Sequence, residues 1–187
     1  MVISLQSEGY KIKINSLGAE LKSYCDPSGK EFIWNSDPAF WNRSSPILFP
    51  SIGNVRNNKT IINGKEYTMP KHGLCRDMEF TLVASGKNYA EFLVKSNEET
   101  KKFYPYDFEL YLSYELHGNK LKMAYKVCNK SEETMYFHLG AHPAFMCPME
   151  AGETLNDYAL KFDQKENISS IVYDIQNLCF SSKKTYI

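Results

Sequence analysis

Hydrophobic and polar residues alternate with a period of two over most of this chain. In residues 108–116 every second residue is apolar, and after the turn His117-Gly118-Asn119 the same alternation returns over residues 121–127. Successive side chains of a strand point to opposite faces, so each run predicts a strand with one buried face. The turn between the two runs predicts an antiparallel hairpin.

Turn residues between short apolar runs predict three further strand pairs. These are residues 12–25 leading through Asp26-Pro27-Ser28-Gly29 into residues 32–34, residues 61–62 with 67–69 across Asn63-Gly64, and residues 80–84 with 90–94 across Gly86-Lys87-Asn88. Asn-Gly is the strongest of these hairpin signals. No window of ordinary helix length has a clean 3.6-residue period with capping residues. The fold class predicted is therefore all-β, an antiparallel sandwich or barrel.

Two stretches depart from this pattern. Residues 36–53 carry Pro38, Pro46 and Pro50, and each proline removes a donor from a strand ladder, so a long ordered loop over a sheet end is predicted. Such a loop is either functional or simply pinned by its own aromatic contacts, and both interpretations stay open. Residues 175–187 show no closing element, which predicts a chain cut short or a sheet completed by something else.

Composition narrows the class of protein. The chain has 187 residues with 22 Lys and Arg against 22 Asp and Glu, a balance that argues against a nucleic-acid partner or an anionic membrane surface. It lacks a membrane-spanning apolar run and a secretory signal, so a single cytoplasmic domain over residues 1–187 is expected. Five widely spaced cysteines without a CxxC pair suggest neither a disulfide framework nor a zinc knuckle.

Two of the four histidines lie in residues 134–145, which are predicted to form a strand. Its apolar face would carry Met135, Phe137 and Leu139, and its other face would carry Tyr136, His138, Gly140 and His142. In a strand His138 and His142 would be about 13 Å apart, which one metal ion cannot bridge. No metal site is predicted.

A third histidine, His72, lies in the polar loop Pro70-Lys71-His72-Gly73-Leu74-Cys75-Arg76-Asp77. Glycine beside it permits close approach to a ligand, but an ordinary surface turn explains the pattern equally well. Cys75 next to Arg76 is a weaker candidate for a low-pKa nucleophile, because no partner histidine stands at a recognisable spacing. The 14% aromatic content is compatible with sugar stacking and with an aromatic core.

Six pieces of sequence, in this order, resemble the aldose 1-epimerase (galactose mutarotase) family, most closely its branch of LacX-like galactose mutarotase-related proteins. They are Gly18-Ala19-Glu20-Leu21, Phe32-Ile33-Trp34, Pro46-Ile47-Leu48-Phe49-Pro50-Ser51-Ile52-Gly53, Asn63-Gly64-Lys65-x-Tyr67, His72-Gly73-x-x-Arg76-Asp77 and Gly140-Ala141-His142-Pro143-Ala144-Phe145, where x is a position that carries no part of the resemblance. The set extends across nearly the whole chain.

The resemblance implies a galactose mutarotase-like antiparallel β-sandwich that binds a hexose and interconverts its α and β anomers without a metal or cofactor. It implies that His142 is the general acid and that His72 positions or polarises the ring oxygen. Arg76 would face the substrate or form an ion pair with Asp77. Asn54 stands where the family commonly has a sugar-contacting arginine, with Arg56 two residues on.

The resemblance also implies what this sequence does not supply. The family's general base, a glutamate, and a sugar-binding aspartate lie in a C-terminal part for which the chain has no counterpart. We therefore expect a C-terminally truncated chain with reduced activity. The alternative is a non-catalytic carbohydrate-binding domain. Open sheet edges would make self-association plausible.

Overall fold

In the computed structural model, the protein consists mainly of β-strands. The structure describes residues 1–164, 169–174 and 179–186. Within these residues the strands are β1 (Val2–Ser7), β2 (Tyr10–Asn15), β3 (Glu20–Cys25), β4 (Ile47–Leu48), β5 (Lys59–Ile62), β6 (Lys65–Thr68), β7 (Thr81–Ser85), β8 (Tyr89–Lys95), β9 (Phe108–His117), β10 (Lys120–Asn129), β11 (Gly140–Ala141), β12 (Ser169–Asp174) and β13 (Cys179–Tyr186). The α-helix α1 (Glu98–Lys101) spans four residues, as the lack of helical periodicity predicts.

Two antiparallel sheets enclose the core. One has the strand order β1-β2-β3 and the other the order β10-β9-β8-β7. Alternate residues of β9 are buried, from Phe108 to Leu116, and they join Leu5, Ile12 and Ile14 of the smaller sheet in one hydrophobic cluster. The predicted all-β sandwich is confirmed.

The locally encoded hairpins are confirmed as well. Strand β9 pairs with β10 from Phe108 opposite Asn129 to His117 opposite Lys120. The pairs β5 with β6 and β7 with β8 form across the predicted turns. Across residues 26–29 only an isolated bridge between Cys25 and Glu31 forms, whereas β2 and β3 pair across residues 16–19, a turn that was not predicted. The hairpin of β1 and β2 was not predicted, although Glu8 and Gly9 turn it with positive φ.

Four predicted segments need correction. Within residues 32–34 only Ile33 forms an isolated bridge, opposite Phe145, and no strand is present; residues 36–53 are a loop that includes β4. Only β11 is strand in residues 134–145, and it pairs with β4. Alternation failed to predict these elements because short pairings between distant segments fix them. Residues 179–186 form β13 against β12, in contrast to the prediction that no closing element follows residue 175; residues 175–178 and 187 lie outside the described part.

No helix in the part of the chain that the structure describes is long and apolar enough to cross a membrane.

Candidate functional site

His72 is held in an uncommon backbone conformation by the loop around it. Its φ is +67° and that of Gly73 is +77°. A Cβ atom on Gly73 would lie 2.2 Å from the carbonyl oxygen of Phe49, and these two residues form a parallel bridge. Glycine is therefore required here both for its conformation and for the close approach of two backbones, and this packing fixes the direction in which His72 leaves the loop.

The backbone of Gly53 sets the tautomer of His72. The Gly53 N–H donates to Nδ1 of His72 at 3.0 Å, and the His72 N–H donates to the Gly53 carbonyl at 2.9 Å. A ring nitrogen that accepts a hydrogen bond carries no proton, so the neutral ring holds its proton on Nε2. His72 is thus arranged as a hydrogen-bond donor.

The surroundings of His72 also keep it neutral. Burial, followed by the positive charges of Arg76, Lys71 and His142, lowers the pKa of His72 to about 4. Each of these effects disfavours a second proton on the ring. Near neutral pH the imidazole can therefore donate one hydrogen bond without becoming a cation.

His142 reaches the same place from a distant part of the chain. It follows β11, and its N–H donates to the Pro46 carbonyl at 3.2 Å. Its exposed ring lies with its centroid 5.9 Å from that of His72 and 5.0 Å from that of Trp41. The structure thus brings together the two histidines singled out in the sequence.

His138 lies elsewhere. Its exposed side chain lines a cavity of about 490 Å³, together with Tyr104, Tyr106 and Tyr136. The ring of His142 is not part of that lining. Metal binding by the two histidines of this segment was not predicted, and within the described residues no group of three or more His, Cys, Asp or Glu could hold a metal ion.

Arg76 and Asn54 flank the histidines in different ways. The Nε of Arg76 lies 3.4 Å from Oδ2 of Asp77, so the ion pair left open by the sequence is present, while the charge of Arg76 still acts on His72. Asn54 is half-buried and directly follows Gly53. Its side chain makes no hydrogen bond within the described part of the chain. Arg56 is exposed.

Cys75 does not suit nucleophilic chemistry. Its side chain is completely buried, and burial raises the pKa of its thiol well above the usual range. A reactive cysteine needs an accessible thiolate. The interpretation of Cys75 as a low-pKa nucleophile is therefore wrong, because the side chain is buried in the hydrophobic core.

Comparison with known proteins decides the family. The profile of the Aldose 1-epimerase family matches residues 1–176. The chain belongs to the aldose 1-epimerase family. Its relatives include the plasmid and chromosomal LacX proteins of Lactococcus lactis subsp. lactis, which are 39% and 38% identical to it over 175 residues. These residues make up 90% of this chain and 58% of each relative, so the chain spans well under two thirds of their length.

Solved structures agree with this membership. A galactose mutarotase related enzyme from Lactobacillus acidophilus is 32% identical with a TM-score of 0.91, covering 100% of this chain and 62% of that one. A galactose mutarotase-like protein from Lactobacillus casei is 35% identical with a TM-score of 0.78, covering 81% and 52% of the two chains. The galactose mutarotase-like fold expected from the resemblance is confirmed.

Sequence reasoning missed three side chains around the histidines of this aldose 1-epimerase family member. Trp41 packs on His142, Arg43 binds the loop after His72, and Glu20 holds the backbone of Ser44 and Ser45. The one signal in the sequence is that Glu20 is an acid inside residues 18–21, one of the six segments that resemble the family; in the structure all four of these residues are buried. Nothing local in the sequence marks Trp41 or Arg43, whose contacts lie far along the chain.

Proposed function

We propose that this chain carries the acid half of an aldose 1-epimerase site, with a hexose as substrate. His142 is the general acid that protonates the ring oxygen, and His72 orients that oxygen through its Nε2–H. The observation that carries the proposal is the pair of imidazoles 5.9 Å apart, of which one has its Nδ1 occupied by the Gly53 N–H.

The two roles follow from the different surroundings of the two rings. Anomer interconversion needs a proton given to the ring oxygen and a proton taken from the anomeric hydroxyl. The bond from the anomeric carbon to the ring oxygen then breaks, the open chain rotates, and the ring closes on the other face. His72 stays neutral because its pKa is about 4, so it suits hydrogen bonding better than proton delivery. His142, exposed and facing it, is left as the proton donor.

Neighbouring residues would bind the sugar. Arg76, although paired with Asp77, keeps its charge beside His72, and Asn54 follows the glycine that bonds His72. We assign both to substrate binding. We assign the general base to no carboxylate of this chain, and we therefore expect its activity alone to be lower than that of a complete family member.

Polarimetry on freshly dissolved α-galactose and α-glucose tests the proposal, after circular dichroism has shown that the sample is folded. We expect faster mutarotation than in buffer. In His142→Ala we expect turnover to fall by about 10²-fold or more, as for removal of a general acid. His117→Ala, at an exposed histidine paired with Glu115, is the matched control. Unchanged turnover in His142→Ala would contradict the assignment.

Isothermal titration calorimetry with the same sugars distinguishes the proposed enzyme from a protein that only binds sugar. Saturable binding without acceleration by a folded sample would favour a non-catalytic carbohydrate-binding domain. Weaker binding in Arg76→Gln would support substrate binding by Arg76 under either outcome, provided that the variant folds.

A further inference from the structure

One loop touches both segments that carry the histidines. We call residues 36–46 the bridging loop. On one side Arg43 forms an ion pair with Asp77, and its Nη1 donates to the Arg76 carbonyl at 3.2 Å. On the other side the Ser44 carbonyl accepts from the Ala144 N–H at 2.8 Å, next to the bond from His142 to Pro46.

The bridging loop also provides the surface behind His142. The Trp41 ring lies 5.0 Å from the imidazole, centroid to centroid. Nε1 of Trp34 donates to the Trp41 carbonyl at 2.9 Å. The place of the His142 ring therefore depends on where the bridging loop lies.

Glu20 anchors this loop from inside the protein. The residue is 7% exposed, and its Oε1 accepts from the N–H groups of Ser44 at 2.6 Å and Ser45 at 3.0 Å. Nζ of Lys22 lies 3.6 Å from the same oxygen. A buried carboxylate needs such partners, and the two N–H groups it binds belong to the segment that pairs with residues 142–144.

We propose that Glu20 is a positioning residue for His142, a role that rests on the proposed function. Its carboxylate fixes the backbone of Ser44 and Ser45, and this backbone fixes both the Trp41 ring and the residues that pair with the His142 segment. The imidazole is thereby held facing His72. Misplacement of a catalytic group by about 1 Å can cost on the order of 10²-fold in rate.

Two substitutions of Glu20 separate the effect of side-chain length from the effect of charge. Glu20→Asp keeps the charge but withdraws the oxygen from the two N–H groups, whereas Glu20→Gln keeps an acceptor at the same reach without the charge. Glu109→Asp and Glu109→Gln are the matched controls, because Glu109 lies on β9, away from the bridging loop, and forms ion pairs with Lys95 and Lys130. The readout is the nuclear Overhauser contact between the Trp41 indole and the His142 imidazole protons.

We expect Glu20→Asp to lose this contact and to lower kcat by about tenfold to a hundredfold, with a smaller change in KM. Glu20→Gln and both Glu109 variants should keep the contact. An intact contact in folded Glu20→Asp would overturn the proposal, and so would its loss in Glu20→Gln.

A second measurement does not depend on whether a variant folds. The Ser44 and Ser45 amides of the unsubstituted chain should exchange with solvent as slowly as those of β9; fast exchange would overturn the anchoring role of Glu20. If the unsubstituted chain shows no mutarotation, the proposed function fails, while the Overhauser contact and the exchange rates still decide the role of Glu20.

Discussion

The protonation of His72 is set by its nearest neighbours. Because the Gly53 N–H occupies Nδ1 and because burial and Arg76 lower the pKa to about 4, we expect nitrogen-15 spectra to show the Nε2–H tautomer at neutral pH and a titration midpoint near 4. Arg76→Gln should raise that midpoint, since it removes a positive charge. Arg56→Gln, at an exposed arginine, is the control. A midpoint close to the ordinary histidine value in the unsubstituted chain would contradict this account.

The same residue links stability to pH. The pKa of His72 is about 4 in the folded chain and about 6.5 when unfolded. Between these values the unfolded chain binds more protons, so the free energy of unfolding falls as pH drops through this window and is unaffected above it. We expect His72→Gln to lose less stability than the unsubstituted chain between about pH 7 and about pH 4.5, as measured by urea unfolding. His138→Gln, at an exposed histidine, should lose as much as the unsubstituted chain; an equal loss in His72→Gln would refute the link.

The bridge between Phe49 and Gly73 joins the His72 loop to the segment that follows β4. Gly73 and Gly64 both have φ of +77°, but a Cβ on Gly73 would meet the Phe49 carbonyl at 2.2 Å, whereas one on Gly64 meets nothing within 4 Å. Gly64→Ala should therefore cost only the backbone penalty of about 1–2 kcal/mol. Gly73→Ala should cost at least about 2 kcal/mol more, because the two backbones must separate.

Urea unfolding of both variants measures this difference. The comparison isolates the steric contact, since the two glycines have the same positive φ. Equal losses of stability would mean that the Phe49 backbone moves aside without cost, and the His72 loop would then be less rigid than its packing indicates.

Across the fold, the elements that the sequence predicts are those formed between neighbouring segments of the chain. The hairpin of β9 and β10 joins neighbouring strands through a turn, so alternation and turn residues suffice. His72 and His142 could be named from the family motifs, but their facing geometry arises from Gly53 and Pro46, which lie far from them in the chain. Strands β4 and β11 are too short to show any period. The role of Glu20 was missed because its partners, Ser44 and Ser45, lie 24 and 25 residues further along the chain.

Cohesion between the two sheets rests partly on one buried phenol. Tyr114 of β9 is completely buried, and its hydroxyl donates at 2.6 Å to the carbonyl of Ala19, just before β3. Tyr114→Phe keeps the packing but leaves that carbonyl without its partner, so we expect a loss of about 1–3 kcal/mol in the free energy of unfolding. Tyr136→Phe is the matched control, because Tyr136 is 76% exposed. This substitution should change stability by less than about 0.5 kcal/mol.

Since Ala19 precedes Glu20, a loosened Tyr114 contact should also weaken the Overhauser contact between Trp41 and His142. If the free energy of unfolding falls while that contact stays intact, the cohesion of the two sheets does not contribute to the positioning of His142.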